Sequence, residues 1–195
     1  MHTTALLVMD VQQGIVSRYA GESEYLPRLR RAIDAARGAG IRVIYATVAF
    51  REGYPEISER NKSFSAIGRS SGFVVGEAST TVHPAVAPAP DEVQVIKRRV
   101  SAFAGSDLDV VLRAGNVDTL VLTGISTSGV VLSTLRQAAD WDYRLVVLAD
   151  GCLDGDPEVH RVLMEKVFPR QAVVLTVEQW VERLGGKQQP HAAAS

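Results

Sequence analysis

Six short apolar runs punctuate the chain: Thr4–Met9, Arg42–Ala49, Glu92–Ile96, Thr119–Thr123, Arg144–Ala149 and Ala172–Leu175. Their Val, Leu and Ile content is continuous rather than alternating. Such runs read as strands covered on both faces, as inside a parallel sheet. Segments of helical period lie between them. Tyr25–Ala39 repeats Leu26, Leu29, Ile33 and Ala36 on one face, and Gly40 stops it. Ser106 with Asp107 and Asp109 predicts a helix over Asp107–Ala114, because a side-chain oxygen satisfies orphan amides and carboxylates favour the positive end. A further helix is predicted over Ser128–Asp140. Asp156-Pro157-Glu158 opens another, with proline where a helix amide needs no partner. Thr176 and Gln179 read as a capping box for the last helix, Val177–Leu184.

The order of these elements predicts one α/β domain of three layers (αβα). Its centre is a six-stranded, mainly parallel sheet of Rossmann-like topology. The domain is placed over residues 1–184. The small, polar tail 185–195 is expected to be disordered. One stretch breaks the rhythm. Phe50–Val82 contains Gly53, Pro55, Gly68, Gly72 and Gly76 with no sustained period. An excursion of this length is expected to be a functional lid or a partner-contact segment.

Composition narrows the function classes. A net charge of −1 gives no basic excess for nucleic acid or an anionic membrane. No apolar run is long enough to span a bilayer. The first ten residues lack the basic region of a signal peptide. The single cysteine, Cys152, rules out an internal disulfide framework and suits the cytoplasm. No metal-ligand spacing is present. His160 falls in a predicted helix, His83 precedes Pro84, and His2 and His191 are terminal. No phosphate loop or dinucleotide turn is present either, so no cofactor is expected.

Candidate chemistry gathers at one edge. Asp10 ends the first strand, Lys97 the third and Gly124 the fourth, all at the carboxyl ends of parallel strands. Open α/β sheets bind ligands there, because chain reversals leave a crevice. Burial would raise the pKa of Asp10 and a nearby ammonium would lower it, so the pair can hold a mobile proton. The bland alternative is a strand-end ion pair. The turn from Gly124 to Gly129 leads into a helix whose first amides can hold an oxyanion or a carboxylate. Phe103 and Tyr54 are the aromatics placed nearest the pocket, from their loop positions. In the run Lys97-Arg98-Arg99, one inward lysine and at least one solvated arginine are expected.

Three segments, VMDVQQG (residues 8–14), VIKRRVSAF (95–103) and LTGISTSGVVLST (122–134), together resemble the isochorismatase-like family of cysteine hydrolases. The resemblance covers nearly the whole chain. It implies that Asp10 and Lys97 are catalytic, the first moving a proton and the second supporting it electrostatically. Val130 falls where most members carry the nucleophilic cysteine. A non-proline cis peptide would map to Ile125–Ser126. Substrate contacts are assigned to Gln12, Phe103, Ser126, Thr127, Ser128 and Gly129. A homodimer or larger homo-oligomer and a small-molecule substrate are also implied. The metal-binding pattern of nicotinamidase-like relatives is absent after the second strand, and the turn lacks the Tyr-Ala-His run of the true isochorismatases.

Three functions follow. The first is a hydrolase acting on an amide C–N or vinyl-ether bond by acid–base catalysis, without a cysteine nucleophile. The second is a non-catalytic small-molecule-binding protein on the same scaffold. The third is a partner-binding role through Phe50–Val82. Substitute nucleophiles fit poorly: Cys152 follows a different strand, and Ser126 and Ser128 have no well-placed histidine.

Overall fold

The computed structural model describes residues 3–19, 24–70 and 72–186. Six parallel strands form one sheet in the order β3-β2-β1-β4-β5-β6. They are β1 (Thr3–Met9), β2 (Arg42–Val48), β3 (Val93–Lys97), β4 (Val117–Ile125), β5 (Arg144–Leu153) and β6 (Val173–Leu175). The chain builds outward from β1 to β3, then returns to lay β4 on the other side of β1. The strand order therefore reverses between β1 and β4, and a crevice opens at their carboxyl ends.

The continuous apolar runs are explained by two cores. Along β1, Ala5, Leu7 and Met9 face one cluster while Leu6 and Val8 face the other. Period-two alternation sends neighbours to opposite faces, and helices cover both. On the first face lie α4 (Leu108–Ala114) and α5 (Leu132–Asp140); on the second lie α2 (Tyr25–Gly38) and α7 (Val177–Gly186).

The predicted capping residues hold, although the helix expected from Ser128 opens with a π-helical turn and becomes α-helical only at Leu132. Gly40 takes a φ of 68° after α2. The Ser106 hydroxyl accepts from Leu108 N at 3.2 Å. Asp156 caps α6 (Pro157–Val162) by accepting from the amides of Glu158 and Val159. Thr176 and Gln179 exchange both bonds of their capping box. The last helix runs to Gly186, two residues past the predicted boundary, and 187–195 with His191 lie outside the described residues, as does His2.

The excursion is more ordered than its composition predicts. It contains a helix, α3 (Lys62–Ser70), and a small core of Phe50, Phe64 and Phe73 with Val48. Its period was hidden because the helix buries only a narrow apolar face against that local core. A short helix, α1 (Gln13–Val16), was also missed. Cys152 sits inside β5, opposite Gly124, rather than beyond the strand.

Candidate functional site

Asp10 leaves β1 with a φ of 56°. Aspartate tolerates this left-handed conformation better than most residues. Its amide donates to Ala46 O at 2.8 Å, fixing the turn to β2. Lys97 closes β3, two strands away. Adjacent strands lie about 4.8 Å apart, so β1 and β3 are separated by roughly 9.6 Å. A long side chain is needed to cross β2, and lysine supplies it. Lys97 Nζ lies 2.9 Å from Asp10 Oδ2 and donates to Arg99 O at 2.9 Å. Both residues are buried, at 2% and 6% exposure. Asp10 Oδ1 is buried with no protein hydrogen-bond partner. Burial pushes the Asp10 carboxyl above its ordinary value, although the charge and hydrogen bond of Lys97 pull it down.

A cavity of about 220 Å³ opens onto this pair. Its apolar lining comes from Ile15, Val48, Phe64, Val100, Ile125 and Val130. Ser126, Arg18 and Tyr19 supply further polar groups. Larger hollows exist. One of about 500 Å³ lies at the opposite edge, beside the starts of β2 and β3. Its Arg37 and Glu92 already form a 2.8 Å ion pair.

The turn after β4 builds the far wall. The Ile125–Ser126 peptide is cis. Gly124 has a φ of 138°, and a Cβ there would lie 2.1 Å from Met9 O. Only glycine lets β4 pass β1 so closely. Thr127–Val131 forms a π-helical turn, a form that recurs at functional sites. Its amides are largely engaged already. Ser128 N donates to Asp154 Oδ2 at 2.7 Å, and Gly129 N and Val131 N both turn back to Ser126 O at 3.2 Å. The anion site expected of this helix start is accordingly reduced.

The assigned substrate contacts separate into two groups. Ser126 and Gly129 line the cavity beside Val130. Gln12, Phe103, Thr127 and Ser128 do not. Gln12 is fully buried; it donates to Val48 O and Thr80 O and accepts from Val48 N. Both ends of its amide are committed to the backbone. Phe103 packs into the core, with ring centroids 4.8 Å from Trp141 and 6.3 Å from Tyr143. Thr127 is buried and bonds His160 Nδ1 at 2.8 Å. Ser128 is exposed. Tyr54 is held by Gly72, and Phe64 with Tyr19 are the aromatics that reach the cavity. Sequence reasoning missed Phe64, Tyr19 and Arg18.

Nearby residues that could have competed for chemistry are accounted for. His160 reaches the turn at Thr127, not at Ser126 or Ser128, so no Ser–His pair forms. Burial lowers its pKa and Asp154 opposes that shift. Cys152 is buried and donates to Leu122 O at 3.8 Å; burial pushes its thiol far above the ordinary range. Arg98 bonds Ala49 O and Glu56, while Arg99 bonds Arg98 O and Glu56 O. Both arginines therefore anchor the excursion, where a solvated arginine was expected. Among the described residues no three His, Cys, Asp or Glu side chains gather as a metal site.

The model of the isochorismatase domain matches residues 4–179. The chain belongs to the isochorismatase family. It is 33% identical over 186 residues to the uncharacterized family protein YecD of Escherichia coli O157:H7, covering 93% of this chain and 96% of that one. It is 31% identical over 216 residues to the ureidoacrylate amidohydrolase RutB of Stutzerimonas stutzeri strain A1501, covering 98% and 84%. Among solved structures, an isochorismatase family protein from Desulfovibrio vulgaris superposes with a TM-score of 0.85 at 23% identity, covering 95% of this chain and 100% of that one. The family is one of hydrolases, and the six-stranded parallel sheet is its fold.

Proposed function

We propose that this isochorismatase-family protein hydrolyses a small metabolite by acid–base catalysis, with Asp10 moving the proton, Lys97 supporting it and no covalent intermediate. The observation that carries the reading is the buried 2.9 Å Asp10–Lys97 pair, whose second carboxylate oxygen is unpartnered and which opens on a cavity walled by Val130. Val130 occupies the place where the family resemblance puts a cysteine, and valine has no lone pair for attack. Water is then the nucleophile. For an amide C–N bond, Asp10 takes a proton from water as its oxygen joins the carbonyl carbon. The proton then passes to the leaving nitrogen. For a vinyl ether, Asp10 instead delivers the proton to the enol carbon, water adds to the resulting cation and returns a proton to Asp10, and the hemiketal collapses by breaking its C–O bond and releasing the alcohol. The similarity to an amidohydrolase favours the amide. The reading includes a small-molecule substrate and a homodimer or larger homo-oligomer in the cytoplasm.

The test is hydrolysis of a panel of amides, carbamates, esters and vinyl ethers by wild type, Asp10→Asn and Cys152→Ala. Asp10→Asn is expected to lower turnover by about 100-fold or more, the scale of a lost proton-transfer group, while Cys152→Ala keeps it. Val130 also favours a second reading, a binding protein on the same scaffold. Ligand-induced thermal shifts without turnover on any panel member would select that reading.

A further inference from the structure

The charges of the cavity do not balance. Asp10, Lys97 and Arg18 line it, so it carries one more positive than negative side chain. Lys97 is matched to Asp10. Arg98 and Arg99, its neighbours in sequence, are committed to the excursion. Arg18 makes no ion pair among the described residues. Its guanidinium carbon sits 5.7 Å from the centroid of the Phe73 ring. Contact with a ring occupies the face of a guanidinium and leaves its N–H fork free for a carboxylate. The exposed Arg18 and the buried Asp10 thus mark an outer and an inner end of one small cavity.

We infer that Arg18 holds the carboxylate of a small monoanionic substrate and is the specificity-determining residue for the hydrolysis of its other end. The inference rests on this cavity being the reaction site. Size limits the substrate: 220 Å³ is about seven water volumes at roughly 30 Å³ each. Charge limits it further. A monoanion neutralises the surplus cation. A phosphate carries about −1.5 to −2 at neutral pH and would leave uncompensated negative charge beside Asp10. A low-dielectric cleft of one sign also concentrates substrate of the other sign. Phe64, Val100 and Ile15 provide apolar surface for a short carbon skeleton between the two ends.

The experiment compares propionate, propionamide and methyl phosphate as probes in thermal-shift titrations of wild type, Arg18→Gln, Arg18→Lys and Asp10→Asn. In wild type, propionate is expected to bind at least tenfold more tightly than the other two. Arg18→Gln removes that preference, Arg18→Lys retains part of it, and Asp10→Asn keeps the preference for propionate over propionamide. Where the panel yields turnover, Arg18→Gln raises KM for carboxylate-bearing substrates about tenfold and spares kcat. Equal binding of acid and amide by wild type, tighter binding of methyl phosphate, or an undiminished preference in Arg18→Gln overturns the inference. Loss of turnover on the whole panel with an Arg18-dependent propionate preference overturns the hydrolase reading alone.

Discussion

At the scale of single residues, chemistry and packing divide side chains that the sequence presents alike. Gln12 and Phe103 stand beside catalytic candidates, and neither lines the cavity. Asp10 and Lys97 were legible because each ends a continuous apolar run with a charge. That pattern is unfavourable unless the two charges meet. Phe64 and Arg18 were not legible, since whether they line the cavity depends on how the excursion and the turn after α1 pack beside the strand ends. Val130 yields a sharp test. Its side chain shares the cavity lining with Asp10 and Lys97. In Val130→Cys the Lys97 ammonium is expected to favour the thiolate, so the new thiol reacts quickly with iodoacetamide at neutral pH. Cys152, with its elevated pKa, stays slow and serves as internal control. Intact-mass kinetics check this; a new thiol as sluggish as Cys152 would place residue 130 outside the electropositive field.

At the scale of elements, the strand ends are held by contacts that local sequence does not announce. The Gln12 side chain stitches the end of β1 to Val48 of β2 and to Thr80 of the excursion through three hydrogen bonds. Gln12→Ala strands buried backbone groups and is expected to cost about 2–4 kcal/mol. Urea denaturation measures the loss, and a variant of unchanged stability with a raised KM would return Gln12 to the substrate. The close pairing of β4 with β1 imposes a different constraint. Gly124→Ala forces a Cβ onto Met9 O in a backbone region that disfavours side chains. The expected penalty is about 3 kcal/mol or more, seen as a collapse of soluble yield or of the melting temperature. The glycine was visible in the sequence, but its reason was not. The same holds for Thr134, whose hydroxyl accepts from Ala102 N at 2.9 Å and pins the loop after β3 to α5.

At the scale of the whole molecule, the site is coupled to stability through the proton on Asp10. Burial raises its folded pKa above the unfolded value of about 3.9. The folded chain therefore binds this proton more tightly than the unfolded chain. The stabilisation is complete below the unfolded pKa and is lost as pH rises through the folded one. Relative to Asp10→Asn, wild type should lose unfolding free energy as pH climbs from about 4 towards neutrality. Denaturation curves across that range check it, and a constant difference between the two proteins would show an unshifted carboxyl. The sequence by itself determined the sheet, its parallel sense and the helices at its ends, because buried strands and helix caps are written in neighbouring residues. It also determined the Asp10–Lys97 pair, because strand order carries strand ends to a common edge. Tertiary structure alone decided which side chains line the cavity, among them Phe64 of the excursion and Arg18 of the turn after α1. Those depend on contacts between residues distant in the chain, and no local period encodes them.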